Sequence, residues 1–496
     1  MRRAEGSFWR HRGAVRSGIL TGLATIVLAF AAAGAGALLA HKFGRSAETD
    51  GFLAVYGVYL LLLFAAQSFR MVVVPDLTRA AAEGRLGGEA RAYATAFLAL
   101  AVPVCLLVVV FARPLGELVT GSLPSTSAAI AARAIELLVP AAFGQLLAAL
   151  AASALAARDS YGTAAAGFAL GGIAGLVVFA AFADGHGLIA LAWGLVVNAA
   201  VSLAIPLAAL LRQGALGGPA AQELAIARRL WGLVQGAAVP IALQGCYLLG
   251  VRFAAKLGVG QVTSFTYAYL IASTLVTATA FSFGLVSSAP LTRRGVDPEG
   301  AARHVIHAAW VSLVLVGAAA GVFALVGGRV VELVLGADYG GHVGTLLGRL
   351  VVWFAPWMLA WVTFAVTFPL VFVAGRRRVL VPLAFTGFAL CIPLGLGLRS
   401  LWGLDGVAIA IGIATLVIVL GLMWSVSPRT LAIATVGLGR LGLTLGGATA
   451  LAFGAIALTL SPIPAAVVGL LVYGLIVTAL RSLGLSDAWT YVRSLR

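Results

Sequence analysis

The sequence predicts an all-α polytopic membrane protein of about fourteen transmembrane helices. They form two six-helix pseudo-symmetric halves plus an extra C-terminal helix pair. Three observations carry that expectation. The 496 residues are 61% hydrophobic and only 10% charged, more apolar side chain than a water-soluble core of this length can hide. Apolar runs of roughly 20 residues, the length that crosses a bilayer as a helix, recur from end to end. And two stretches repeat each other at a constant offset of 214: Phe43-Gly44 through Thr49 to Leu77-Thr78-Arg79, and Leu257-Gly258 through Thr263 to Leu291-Thr292-Arg293.

Taken in order, the expected spans are 18–41, 51–75, 92–112, 129–156, 161–182, 187–211, 230–252, 263–288, 304–326, 345–373, 379–398, 403–425, 433–459 and 463–482. Charged or turn-forming residues bound them. Arg16 and Lys42 flank the first, Asp76 ends the second, and Arg91 and Arg113 enclose the third. Arg212 closes the sixth, and the Arg376-Arg377-Arg378 triplet follows the tenth. The first run is too long for a signal-peptide core and opens the repeat, so it reads as a retained helix. The 61 Gly fit helices that approach closely through small residues. Six spans return the chain to its starting side, which makes the halves parallel repeats. The expected divisions are 1–215, 216–430 and 431–496, the last holding the extra helix pair and a tail. A Gly-rich linker at 212–229 reads as flexible by composition. Asp76 to Arg91 reads either as a short interfacial helix, which its pattern permits, or as a solvated connector.

The net charge of +16 invites a nucleic-acid partner, but its placement argues otherwise. With each helix-end residue assigned to its nearer side, 22 of the 33 Lys and Arg fall on the side of the termini and 7 on the other. Four, Arg70, Arg133, Arg349 and Arg440, lie within spans. That asymmetry puts both termini in the cytoplasm of a cell (cytoplasmic) membrane. The surplus is topological, with some attraction to anionic lipid heads. Cys105, Cys246 and Cys391 all sit inside spans, without disulfide or metal spacing, and read as packing residues. His304 and His307 share a helical face but have no acidic third ligand nearby, so no metal is expected. No nucleotide-binding loop and no catalytic constellation is present. No cofactor is expected.

Phe43-Gly44, four residues, then Thr49-Asp50-Gly51-Phe52, followed after a span by Pro75, resembles the signature of the MurJ/MviN-type lipid II flippases. Those belong to the multidrug/oligosaccharidyl-lipid/polysaccharide (MOP) exporter superfamily, which shares the fourteen-helix plan. The resemblance implies a flippase that carries a polyprenyl-phosphate-linked glycan by alternating access, driven by a coupling ion such as H+ or Na+. The family also places arginines in the first and second helices, facing a central cavity. Here the matching positions are near Ala35 and near Leu63-Phe64, and those cations are absent.

A lipid-linked phosphate cannot cross hydrocarbon unpaired, so cations facing a wet cavity are needed. The candidate cavity residues are Arg70, Arg133, Glu136, Gln235, Gln244 and Arg252. Each arginine could instead snorkel to an interface. Glu136 lies three residues after Arg133, on the same helix face, so an internal ion pair is the simpler reading and a proton- or cation-responsive group the other. Gln67, Gln145 and Asn198 read as hydrogen-bonding links between helices. Two other functions stay open: a drug or cation antiporter of the same superfamily, and a polyprenyl-dependent membrane glycosyltransferase with Glu48 and Asp50 as its acids.

Overall fold

The computed structural model describes residues 23–24, 26–158, 160–217, 219, 224–276 and 297–480. The described chain is helical, and its packing divides it into two units at Gln244/Gly245.

The first unit opens with α1 (Ile26–Phe43). It continues with α2 (Ala47–Ala82), α3 (Leu86–Val110), the short α4 (Ala112–Thr120), α5 (Ser125–Ala156), α6 (Tyr161–His186) and α7 (Ile189–Arg212). It also takes the first part of α8 (Ile226–Ala255). α5 lies at its centre, against α2 on one side and α7 on another, and α6 packs along α7. The α6–α7 contact is built from small residues, as the glycine content predicts. A Cβ on Gly175 would sit 2.6 Å from the carbonyl oxygen of Gly194, and one on Gly194 would sit 2.5 Å from that of Gly175. Backbones this close gain dispersion contact that a bilayer's lipid tails cannot better. Beside that crossing, Gln145 Nε2 donates to Asn198 Oδ1 (3.1 Å), and Ser202 Oγ donates to the same oxygen (3.1 Å). Gln145 and Asn198 are thus the interhelical link expected of them. The side chain of Gln67 lies outside the described residues.

The second unit takes the rest of α8, then α9 (261–276) and α10 (Pro298–Leu335). α11 (Gly341–Trp353), α12 (Ala355–Val373) and α13 (Leu380–Val426) follow. α14 (Pro428–Ala457) and α15 (Pro462–Ala479) complete it. α10 is the hub here, touching α11, α12, α14 and α15. A buried aromatic column runs along α12 through Trp357, Trp361, Phe364 and Phe368, with neighbouring centroids 5.0–5.5 Å apart. Tyr269 of α9 joins it at Trp357 (4.9 Å) and stacks on Tyr247 of α8 (4.1 Å). Cys246 and Cys391 are buried and Cys105 is half-buried, all as free thiols.

Among the described residues twelve helical runs are long and apolar enough to cross a membrane. One of them, Arg377–Val426, contains two of the expected spans, because the helical path breaks at Trp402 and Gly403. α9 begins the eighth span and runs up to residues outside the described set. Each of the fourteen expected spans therefore meets a helix, and the protein is a multi-pass membrane protein.

Three local expectations are corrected. The connector Asp76–Arg91 holds no separate interfacial helix. α2 continues to Ala82 and α3 starts at Leu86, leaving a turn with Gly84 at φ +69°. Asp76 draws the two together, bonded to Arg79 (2.5 Å) on its own helix and to the Tyr93 hydroxyl (2.5 Å) on α3. The tenth span, 345–373, is two helices that meet at Phe354/Ala355. Pro356 in the first turn of α12 has no N–H to continue α11, and its ring excludes the carbonyl four residues back. The described start of the linker, 212–217, also packs more closely than its composition implies. A Cβ on Gly87 of α3 would sit 2.1 Å from the Gly217 carbonyl oxygen, so the linker backbone lies directly on α3. Arg158 Nη1 donates to the Gln213 carbonyl (3.5 Å).

The repeat is visible in the helix boundaries. α2 starts at Ala47 and α9 at residue 261, an offset of 214. Gly44 and Gly258 both take positive φ, at +54° and +120°, where side chains other than glycine's are strained. Thr49 and Thr263 are both fully buried. The Leu291-Thr292-Arg293 echo lies outside the described residues.

Candidate functional site

The motif residues assemble one turn. α1 ends at Phe43, whose ring stacks on Phe179 of α6 (6.5 Å). Gly44 reverses the chain, and Ser46 caps α2, its Oγ accepting from the Thr49 N–H (3.1 Å). The Thr49 hydroxyl lies 2.9 Å from Ser46 Oγ and donates to the Phe43 carbonyl (3.3 Å), tying the end of α1 to the start of α2. Such a cap satisfies the first free N–H groups of a helix. Ser127 of α5 then donates to the Ala47 carbonyl (2.6 Å). Gly51 makes that approach feasible, because a Cβ there would lie 2.2 Å from the Ser127 carbonyl oxygen. Asp50 and Phe52 are fully buried, and Phe52 stacks on Tyr56 (6.4 Å). Pro75 sits inside α2 on an exposed face. The motif therefore builds an α1–α2–α5 corner, its threonine acting through its hydroxyl bonds and its glycines through backbone geometry.

The charged candidates are distributed differently. Arg70 of α2 is exposed and makes no ion pair with a described residue. Arg133 and Glu136 of α5 are also exposed, and no ion pair joins them. That corrects the expected internal pair: both side chains lie on the surface of the packed helices and point apart far enough that no bond joins them. Gln235 is half-exposed on α8, whereas Gln244 is fully buried and meets no solvent in this conformation. Arg252, near the end of α8, is half-buried and makes contacts of its own. Arg70, Arg133 and Glu136 thus offer accessible charge within the first unit, and Arg252 belongs to the second.

A buried ion network went unnoticed in the sequence. Arg229, at the start of α8, forms a two-point bond with Glu89 of α3, Nη1 to Oε1 and Nη2 to Oε2 (3.1 Å), with side chains only 10% and 15% exposed. The Arg229 guanidinium also lies over the Tyr93 ring (4.6 Å), whose hydroxyl reaches Asp76. Asp76, Tyr93, Glu89 and Arg229 join α2, α3 and α8 at the end expected to face the cytoplasm. The two carboxylates are 13 residues apart in sequence and Arg229 is far from both, so spacing gave no sign of it.

The fold has clear counterparts among solved structures. The lipid II flippase MurJ in an inward closed conformation aligns over 94% of this chain and 99% of its own, with TM-score 0.70 and 16% identity. The fold is that of the MOP-superfamily transporters. An inward-facing multidrug-resistance MATE transporter of that superfamily aligns over 82% of this chain and 94% of its own (TM-score 0.65, 15% identity). A MOP-superfamily transporter from Pyrococcus furiosus, described as having a binding pocket of reverse polarity, aligns over 87% and 96% (TM-score 0.59, 14% identity). No protein-family model matches the sequence, and no curated protein does. On the MOP fold the Phe43–Phe52 turn is a framework feature, which leaves Arg70, Arg133 and Glu136 as the accessible ionisable candidates in the first unit's helices.

Proposed function

We propose that this protein is a flippase that moves a polyprenyl-phosphate-linked glycan across the cytoplasmic membrane by alternating access, without covalent chemistry. The observation that carries the reading is the match to the lipid II flippase over nearly the whole of both chains. The Phe43–Phe52 motif supports it. Its partners on this reading are the lipid-linked glycan, membrane lipids and a coupling ion, H+ or Na+. On this reading the first unit contributes Arg70, Arg133 and Glu136 to the substrate path. Arg70 stands seven residues after Leu63, two helical turns on and on the same face. It supplies on that face the cation that Leu63-Phe64 lacks. An exposed arginine can exchange water for phosphate oxygens at small cost, which a buried, paired one cannot.

Reconstitution in liposomes with a fluorescent polyprenyl-pyrophosphate glycan tests this. The wild type should expose the probe on both leaflets. Arg70→Ala should slow the exchange by more than about tenfold, the effect of removing one charge-assisted hydrogen bond. Normal exchange in Arg70→Ala would make that residue a membrane anchor. Absence of exchange in the wild type would favour the antiporter reading, which the MATE likeness supports. Against that reading, neither Ser17–Ala40 nor Leu230–Arg252 contains an acid.

A further inference from the structure

At the end of the second unit expected to face outward, α13 breaks. Trp402 leaves helical geometry (φ −131°, ψ 15°), and Gly403 takes φ +57°. The arms before and after the break fold tightly together, since a Cβ on Gly406 would lie 2.0 Å from the Leu398 carbonyl oxygen and 3.1 Å from the Arg399 nitrogen. This brings Arg399 and Asp405 to one small turn. The Arg399 guanidinium lies over the Phe253 ring (5.8 Å), which fixes its plane. Asp405 Oδ2 accepts from Arg349 Nε of α11 (3.0 Å). Two polar atoms of this cluster are buried and make no hydrogen bond within the protein: Arg399 Nη1 and Asp405 Oδ1. Between them in the chain stands Trp402, 56% exposed.

We propose that this turn is a saccharide-binding subsite, with Arg399, Trp402, Asp405 and Arg349 as its residues. The two unmet atoms define the ligand's chemistry. Arg399 offers a donor and needs an acceptor, whereas Asp405 Oδ1 needs a donor. A phosphate or carboxylate satisfies only the first and is repelled by the second. An ammonium group satisfies only Asp405. A polyol satisfies both, one hydroxyl accepting from Arg399 and another donating to Asp405, and sugars carry hydroxyls in fixed geometry. An exposed indole face supplies the apolar surface on which a pyranose ring lies, as ligand sites combine apolar walls with a few placed polar groups. A tryptophan at this depth also anchors helix ends in the membrane interface, but anchoring makes no use of the unmet charges beside it. The inference rests on the flippase reading only for the source of the sugar, the head group of a lipid-linked glycan.

The test uses the full chain in nanodiscs and saturation-transfer NMR with free glucose, galactose, mannose and N-acetylglucosamine as probes. At least one sugar should show saturation at its ring protons. Asp405→Asn should weaken its binding by about tenfold, the scale of one charge-assisted hydrogen bond, and Trp402→Ala by about as much through the lost apolar face. Trp402→Phe, which keeps an aromatic face, should retain it. If Asp405→Asn fails to give a monodisperse protein, the Trp402 pair decides, because that side chain is largely exposed. Saturation by none of the four sugars, or saturation unchanged in both variants, overturns the proposal and leaves a bridging water as the partner of both atoms. The flipping assay on the wild type separates the two readings. Flipping without sugar saturation overturns the subsite alone, and sugar saturation without flipping overturns the flippase reading alone.

Discussion

Replacing Gly51 by alanine should loosen the first unit at its corner. The added methyl would sit 2.2 Å from the Ser127 carbonyl oxygen, 2.7 Å from its Cα and 2.8 Å from its carbonyl carbon. All three are backbone atoms of α5, so no rotamer change relieves the clash and the two helices must separate. Overpacking of this kind costs about 1–3 kcal/mol. Separation also stretches the Ser127 Oγ–Ala47 O bond, now 2.6 Å, worth about 1 kcal/mol more. A total of about 2–4 kcal/mol lowers the apparent unfolding midpoint of a unit this size by roughly 5–15 °C. Differential scanning fluorimetry on purified protein in one detergent measures it. Ser127→Ala removes the hydrogen bond alone and should shift the midpoint by only a few degrees, about a quarter to a half as much. The offset of 214 places Phe265 where the first half has Gly51, so the second half does without this close approach. A Gly51→Ala protein that melts with the wild type would refute the reasoning, because the contact would then be absent in the membrane.

Two further outcomes are expected. Removing Glu89 and Arg229 singly and together in a double-mutant cycle should give a coupling of about 1–3 kcal/mol in thermal stability, far above the usual value for exposed pairs, because both side chains are mostly buried and doubly bonded. Additive single effects would reduce the network to a surface contact. Single cysteines introduced at residues 46 and 377, with the three native cysteines replaced, should react with an impermeant maleimide in intact cells only at 46. The reverse pattern would invert the proposed topology.

Much of the architecture was legible because bilayer-crossing helices announce themselves locally: each is an apolar run closed by charge, from Arg16 and Lys42 to the Arg376–Arg378 triplet. The details that escaped depend on distant partners. Gly51 must lack a side chain because of Ser127, on another helix, and nothing near Gly51 says so. α2 outruns its apolar stretch because Asp76 finds Tyr93, a partner supplied by the next helix. The linker's glycines suggested looseness, yet Gly217 rests on Gly87. Arg133 and Glu136 have pairing distance in sequence but no burial to enforce it. The Arg399–Asp405 cluster was hidden in what reads as a short loop, because its chemistry depends on a break in the helix that only the backbone path reveals.

The division at Gln244/Gly245 falls inside α8 and not in the Gly-rich linker before it. In the repeat expected from the sequence, α8 opens the second half, since the linker separates it from α7. By packing, its first stretch belongs to the first repeat, where Arg229 locks onto Glu89. The join expected from the sequence and the seam of the packing are therefore different. A chain cut at the linker would therefore deprive the first unit of a helix segment of its own bundle, the one that carries Arg229 to Glu89.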